Sequence, residues 1–180
     1  MILETMVSTL DAAGRPNVAP MGIGLEGDAI LLRPFRSALT CANLEALGEG
    51  VVHFTDDVLV FARCALQTYL PPHHPAAKVR GIVLDDACSW REFVVTDKDL
   101  TAERALFRAR VVAGGQGREF LGFNRAQHAV VEATILATRR HLLERASILD
   151  AMARLEPLVA KTGGAREREA WSLVAGVVRP

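Results

Sequence analysis

Between Ala29 and Leu47 an apolar run passes through a proline into a helix, and this transition limits the folds open to the 180-residue chain more than any other stretch. Ala29 to Leu32 is uninterrupted strand material, Pro34 stops it, and Leu39, Ala42, Ala46 and Leu47 recur at helical spacing. Ser37 stands where a helix N-cap is expected, with Thr40 three residues on at N3. A helix start leaves N–H groups without intrahelical partners, and together with the positive end of the helix dipole they favour an anion. The hydroxyls of Ser37 and Thr40 and the guanidinium groups of Arg33 and Arg36 supply further donors in the same small volume. The stretch therefore reads as a phosphate cradle, with a cap that binds only its own backbone as the plainer reading.

The chain before it reads as a hairpin. Ile2 to Leu10 is rich in strand formers, Asp11 to Pro16 is a turn with Gly14 free for positive φ, and Asn17 to Leu25 runs back. Thr5, Val7 and Thr9 share one face of the first strand, a mixed polarity expected where a barrel wall meets a site. Pro20 lacks a ladder donor, so its strand is an edge or is broken there. Gly22 and Gly24 allow close approach of another backbone or a flat ligand, or mark a barrel corner.

After the cradle helix, which Gly48 ends, Gly50 to Thr55 is a fourth strand and Asp56 caps a short helix with Val58, Leu59, Phe61 and Ala62 on its apolar side. The segment Tyr69 to Pro75, with three prolines around His73 and His74, reads as an irregular loop facing solvent rather than a metal site, because no carboxylate or cysteine stands at matching spacing. Ile82 to Thr96 and Ala105 to Val112 read as two long strands joined by a turn at Asp97-Lys98-Asp99. In the first of them Glu92 meets a polar cavity or lies on a solvated side. Gly114 to Gly117 is a flexible break. Asn124-Arg125-Ala126-Gln127 then opens a helix running to about Ala146, followed by helices over about 148–160 and 165–174. The stripe Phe123, Ala126, Val130, Ala133 and Ala137 is expected to bury against the barrel.

The formal net charge is zero, which implies no general electrostatic affinity for nucleic acid or an anionic membrane. Residues 1–100 carry 8 basic against 13 acidic side chains and residues 101–180 the reverse surplus, 13 against 8, which reads as solvated helix faces or a subunit contact. Cys41, Cys64 and Cys88 are odd in number, scattered, and expected to be reduced. Met1-Ile2-Leu3-Glu4 is unlike a signal peptide and no apolar run reaches spanning length, so the expected location is cytoplasmic and no membrane partner is expected. No hydrolytic triad, Walker loop or paired-carboxylate arrangement stands out, Gly22-Ile23-Gly24 lacks the third glycine and the following helix of a dinucleotide fingerprint, and no catalytic side chain or metal ligand set is assigned.

The order of these motifs carries a resemblance. Val7-Ser8-Thr9 with Gly14-Arg15-Pro16-Asn17-Val18-Ala19-Pro20, then Ser37-Ala38-Leu39-Thr40-Cys41-Ala42-Asn43-Leu44, then Gly50 to Phe54, resembles the FMN-binding split barrel of the flavin-reductase-like proteins. Glu4 to Thr9, Asp56 to Ala62 and Glu132 to Arg139 are similar to a group within it that carries a C-terminal helical region. The resemblance implies an α+β, mainly β fold, with a split barrel over residues 1–120 and a helical region over 121–180. It implies FMN as cofactor, in a homodimer with flavin at the subunit interface. The ring would lie along Asn17, Ala19, Pro20 and Met21, near backbone donors around Ala19 and Met21 and near Arg33. The phosphate would sit at Arg36, Ser37 and Thr40, Phe35 would be a further cofactor-binding residue, and Asn43 would reach the ribityl chain or fix the loop. Relatives often carry Asn where this chain has His53. Arg139 either approaches the flavin or pairs with a carboxylate. The function implied is an oxidoreductase or flavin reductase with NAD(P)H or another small donor. The alternatives are a flavin-binding or structural dimer without turnover, and a barrel holding haem, a deazaflavin or a pterin-like molecule.

Overall fold

A computed structural model describes residues 1–179. The chain divides into two compact units, one of Met1–Thr55 with Leu70–Glu119, the other of Asp56–Tyr69 with the residues from Phe120 onward.

The first unit is a closed six-stranded barrel. Its strands are β1 (Ile2–Leu10), β2 (Pro16–Glu26), β3 (Ala29–Leu32), β4 (Glu49–Phe54), β7 (Ser89–Asp99) and β8 (Leu106–Gln116), in the order β1-β2-β3-β8-β7-β4. Gly14 (φ 81°) and Gly27 (φ 58°) take the left-handed conformation that the two hairpin turns require. Helix α1 (Leu39–Leu47) places Cys41 and Leu44 in the barrel core with Val7, Ile23, Val52 and Phe93, and Gly48 ends it in the left-handed conformation. A two-stranded sheet of β5 (His73–Pro75) and β6 (Ile82–Leu84) completes the unit.

The second unit packs α2 (Val58–Leu66), α3 (Arg125–Thr138), α4 (Arg145–Thr162) and α5 (Ala165–Val178) around one apolar core. Its segment Asp56–Tyr69 is distant in sequence from the other three helices. The join is chemical as well as apolar: Asp57 caps α2 by accepting from the N–H groups of Leu59 and Val60 and pairs with Arg166 of α5, while Arg63 of α2 pairs with Glu169. Ala126, Val130, Ala133 and Ala137 are buried against α2, α4 and α5, so the stripe on α3 finds its cover among the helices of its own unit; Phe123, expected in that stripe, is 90% exposed.

The structure corrects several expectations. Ser37 does not cap α1; Ala38 holds the N-cap position without a side-chain bond, so Thr40 is at N2. The cap of α2 is Asp57, not Asp56. His73–Pro75 is a strand, because a short ladder with β6 needs no donor from the proline that ends it. The expected strand 82–96 is interrupted at residues 85–88, where Ala87 N–H closes a turn onto Leu84 C=O. Asp97-Lys98-Asp99 continues β7, and two irregularities in its pairing with β8 absorb the polar residues; the reversal comes later, where Asp99 accepts from Thr101. Gly114–Gln116 belongs to β8. A Cβ at Gly115 would lie 2.3 Å from the Trp90 indole, so glycine is there for space and not for flexibility. Helix α3 stops at Thr138 instead of reaching Ala146, and a turn separates it from α4.

Candidate functional site

The site begins with an incomplete ladder. β2 pairs with β1 along its whole length, Ile2↔Gly24 to Leu10↔Pro16, but with β3 only from Ile23↔Leu32 to Glu26↔Ala29. Residues 16–22 therefore have no strand on their far side. The hairpin bond from Asp11 N–H to Arg15 C=O shows that odd-numbered residues of β1 and β2 face each other. Backbone groups alternate along a strand, so even-numbered residues of β2 face the open edge. This places Pro20, which has no N–H, where none is needed, as the sequence suggested. It also turns the N–H groups of Ala19 and Met21 themselves toward β1. The donors on the open edge are Val18 and Gly22, with the Pro20 carbonyl between them.

The loop from Arg33 to Ala38 leaves β3 one step beyond the last β2–β3 pair and enters α1 beside this edge. Asn17 Nδ2 donates to Thr40 Oγ1 at 3.0 Å, tying β2 to the first turn of α1. Asn43 Nδ2 donates to Thr9 Oγ1 at 2.9 Å and fixes α1 to β1, so of its two expected roles the structure displays the anchoring one. Thr40 and Asn43 are buried, Ser37, Arg33, Phe35 and Arg36 are exposed, and Asn17, Ala19, Pro20 and Met21 are half-buried. Met21 C=O also accepts from Thr5 Oγ1. Thus the edge and the cradle, read separately in sequence, are brought together by two side-chain amides.

Two features escaped the sequence. Arg104, in the β7–β8 connection, lies over the Phe35 ring with its guanidinium carbon 3.9 Å from the centroid, and Phe35 and Arg104 form an isolated antiparallel bridge. Ala105 N–H donates to Pro34 C=O and Arg36 N–H to Glu103 C=O, clamping the loop. No local signal marks a residue 69 positions from Phe35 in sequence. The second feature is the outer wall of β1, β4 and β7. Ser8 donates to Ile82 C=O at 2.7 Å, and the Glu92 carboxylate, buried, accepts from the N–H groups of Ala77, Lys78 and Val79. His53 is fully buried, with Nδ1 donating to Met6 C=O at 3.2 Å. Among the described residues its Nε2 has no hydrogen-bond partner. Burial pushes the imidazole down to about 4, against a smaller upward pull from the Met6 bond. His53 is therefore neutral near pH 7. Arg139 follows the last turn of α3, and no carboxylate pairs with it among the described residues.

Chemically, the loop and helix start offer cationic and N–H donors suited to a phosphate ester, and the open edge offers alternating N–H and C=O groups suited to a planar imide or amide. Known structures share this fold. An FMN-bound protein from Methanosarcina mazei, itself matching the DUF447 family model, aligns over 98% of this chain and 94% of its own with a TM-score of 0.86 and 26% identity. The styrene monooxygenase flavin reductase of Pseudomonas putida S12 aligns over 64% of this chain and 80% of its own at 20% identity (TM-score 0.55). An FMN-binding protein from Thermus thermophilus aligns over 63% and 70% at 16% identity (TM-score 0.55). The latter two show the fold alone, the FMN-binding split barrel that the motif order implied. The family models described as "Protein of unknown function (DUF447) N-terminal domain" and "Protein of unknown function (DUF447)" match residues 3–118 and 124–176, and the chain belongs to the DUF447 family.

Proposed function

We propose that this chain is an FMN-binding flavoprotein of the oxidoreductase or flavin-reductase type. The cofactor phosphate sits against the loop Arg33–Ser37 and the start of α1, and the ring lies along the open edge of β2. The observation that carries this reading is the junction of that edge with the donor-rich loop through the Asn17–Thr40 bond, in a chain 26% identical to an FMN-bound protein. The donor set fits the group: a dianionic phosphate meets N–H groups and arginines, and the imide edge of a flavin meets Val18 and Gly22 N–H and Pro20 C=O. When bound, flavin supplies the hydride or electron transfer. The protein's residues hold and orient it. Backbone N–H groups and Arg33 near the ring favour negative charge on its reduced form, and Asn17 and Asn43 keep the first turn of α1 in register with β1 and β2. A nicotinamide nucleotide as donor and a small molecule as acceptor complete the reading. A homodimer belongs to it as well, since Ile2, Phe35 and Leu39 expose apolar side chains on the barrel unit beside or near the site.

The test is the visible spectrum of purified protein before and after FMN addition and desalting. Retained bands at about 370 and 450 nm support the proposal, and their loss in a Ser37→Ala, Thr40→Ala double variant locates the phosphate. A colourless protein that does not retain FMN overturns it. NADPH oxidation by the loaded protein separates turnover from binding, and light scattering measures the dimer.

A further inference from the structure

The loop Arg33–Ser37 carries two arginines of its own and receives a third, Arg104, from the β7–β8 connection. Among the described residues none of the three has a carboxylate within ion-pair distance, whereas Arg15, Arg63, Arg80, Arg108 and Arg166 each have one. Arg104 is also held in place. Its guanidinium lies on the Phe35 ring at 3.9 Å, and Nη1 approaches the Arg33 carbonyl at 3.4 Å. Stacking uses the face of a guanidinium, and with one Nη1 hydrogen on the Arg33 carbonyl the Nε–Nη2 edge has no partner among the described residues and can bind two oxygens of a phosphate at once. Phe35 is 40% exposed and directly precedes Arg36 and Ser37, so the stack stands at the rim of the cradle. The backbone bonds from Arg36 to Glu103 and from Ala105 to Pro34 hold the two segments together on either side of it.

We propose that Arg104, stacked on Phe35, is a binding residue for the phosphate monoester of the ligand and makes the site select a phosphorylated flavin over its unphosphorylated nucleoside. This rests on the flavin reading above and names the group that gives that site its selectivity. The aromatic face reduces the freedom Arg104 would lose on binding, so a phosphate meets a nearly fixed fork rather than a mobile surface charge.

The experiment is titration of the full chain with FMN and with riboflavin, which differ only in the phosphate, for the wild type and for Arg104→Ala, Arg104→Lys and Phe35→Leu, with circular dichroism and melting temperature as controls on folding. Arg104→Ala is expected to weaken FMN roughly 10- to 100-fold and to leave riboflavin within about twofold, the loss expected for a charge-assisted hydrogen bond. Arg104→Lys recovers part of the loss because it keeps the charge without the fork, and Phe35→Leu gives a smaller loss confined to FMN. Unchanged FMN affinity in Arg104→Ala overturns the proposal. Equal weakening of both flavins also overturns it, by showing a supporting role in the fold. A wild type that binds neither flavin removes the flavin reading itself and this proposal with it, a result visible before any variant is made.

Discussion

On the two faces of the barrel wall lie the buried hydroxyls of Thr5, Ser8 and Thr9, the His53 imidazole and the Glu92 carboxylate, while the helical unit fills its interior with alanine, valine, leucine, isoleucine, methionine and one tryptophan, with Asp57 and Thr134 as buried polar side chains among the described residues. Thr134 bonds to the Val130 carbonyl of its own helix, and Asp57 makes the single buried polar link between helices, to Arg166, among the described residues. The buried polar groups of the barrel join separate segments: Ser8 reaches residue 82, Asn43 reaches Thr9, and Glu92 holds residues 77–79. Buried polar groups are costly unless fully partnered, so such a network specifies one arrangement of loops, whereas apolar packing mainly supplies stability. The barrel fixes loops and an edge that present donors outward; the helices cover apolar surface.

Single substitutions on the two sides can break this contrast. Glu92→Ala leaves three N–H groups without their acceptor and is expected to cost about 4 kcal/mol in urea unfolding. A loss below about 1 kcal/mol would show that water replaces the carboxylate and that the network is dispensable. Met152→Ala, in the core of the helical unit, is expected to cost about 3 kcal/mol by cavity formation while FMN affinity stays within about twofold. A large drop in affinity from that change would end the division of labour drawn here.

His53 sharpens the contrast through pH. Its folded value near 4 lies below the ordinary 6.5, so between those values the unfolded chain binds more protons. Stability then falls as pH falls through 6.5 toward 4, by about 2 kcal/mol at pH 5 and about 3 kcal/mol in full. Chemical denaturation at pH 7 and pH 5 measures it, and a His53→Asn variant should lose most of the difference. An unchanged slope in that variant would assign the acid sensitivity to other groups.

Ser37→Ala gives the smallest effect on folding. The side chain is exposed and makes no cap bond, so stability should shift by less than about 0.5 kcal/mol. FMN affinity should nevertheless fall severalfold if the hydroxyl meets the phosphate. Loss of stability without loss of affinity would reverse the assignment.

Several elements were legible in sequence because their causes are local. Gly14, Gly48 and Asn124 mark a turn, a helix end and a helix start through backbone conformation or a cap reached within a few residues. Ser37 misled because its neighbour Ala38 took the cap position, and a cap without a side-chain bond leaves no signal to find. Asp97 to Asp99 misled because a turn composition was overridden by cross-strand pairing with β8. Gly114 to Gln116 misled because the reason for glycine there is the Trp90 ring, more than twenty residues earlier.

The sequence by itself determined the order of the long strands and the helices and the phosphate-favouring composition of residues 33–40, and narrowed Pro20 to an edge or a break, since each depends on the residues themselves and their immediate neighbours. Only the tertiary structure decided that α2 joins α3, α4 and α5, that Val18 and Gly22 rather than Ala19 and Met21 face the open edge, that Glu92 closes on a loop and that Arg104 stacks on Phe35. Register and long-range pairing set those, and both are fixed by which surfaces can be buried together after the chain has folded back on itself.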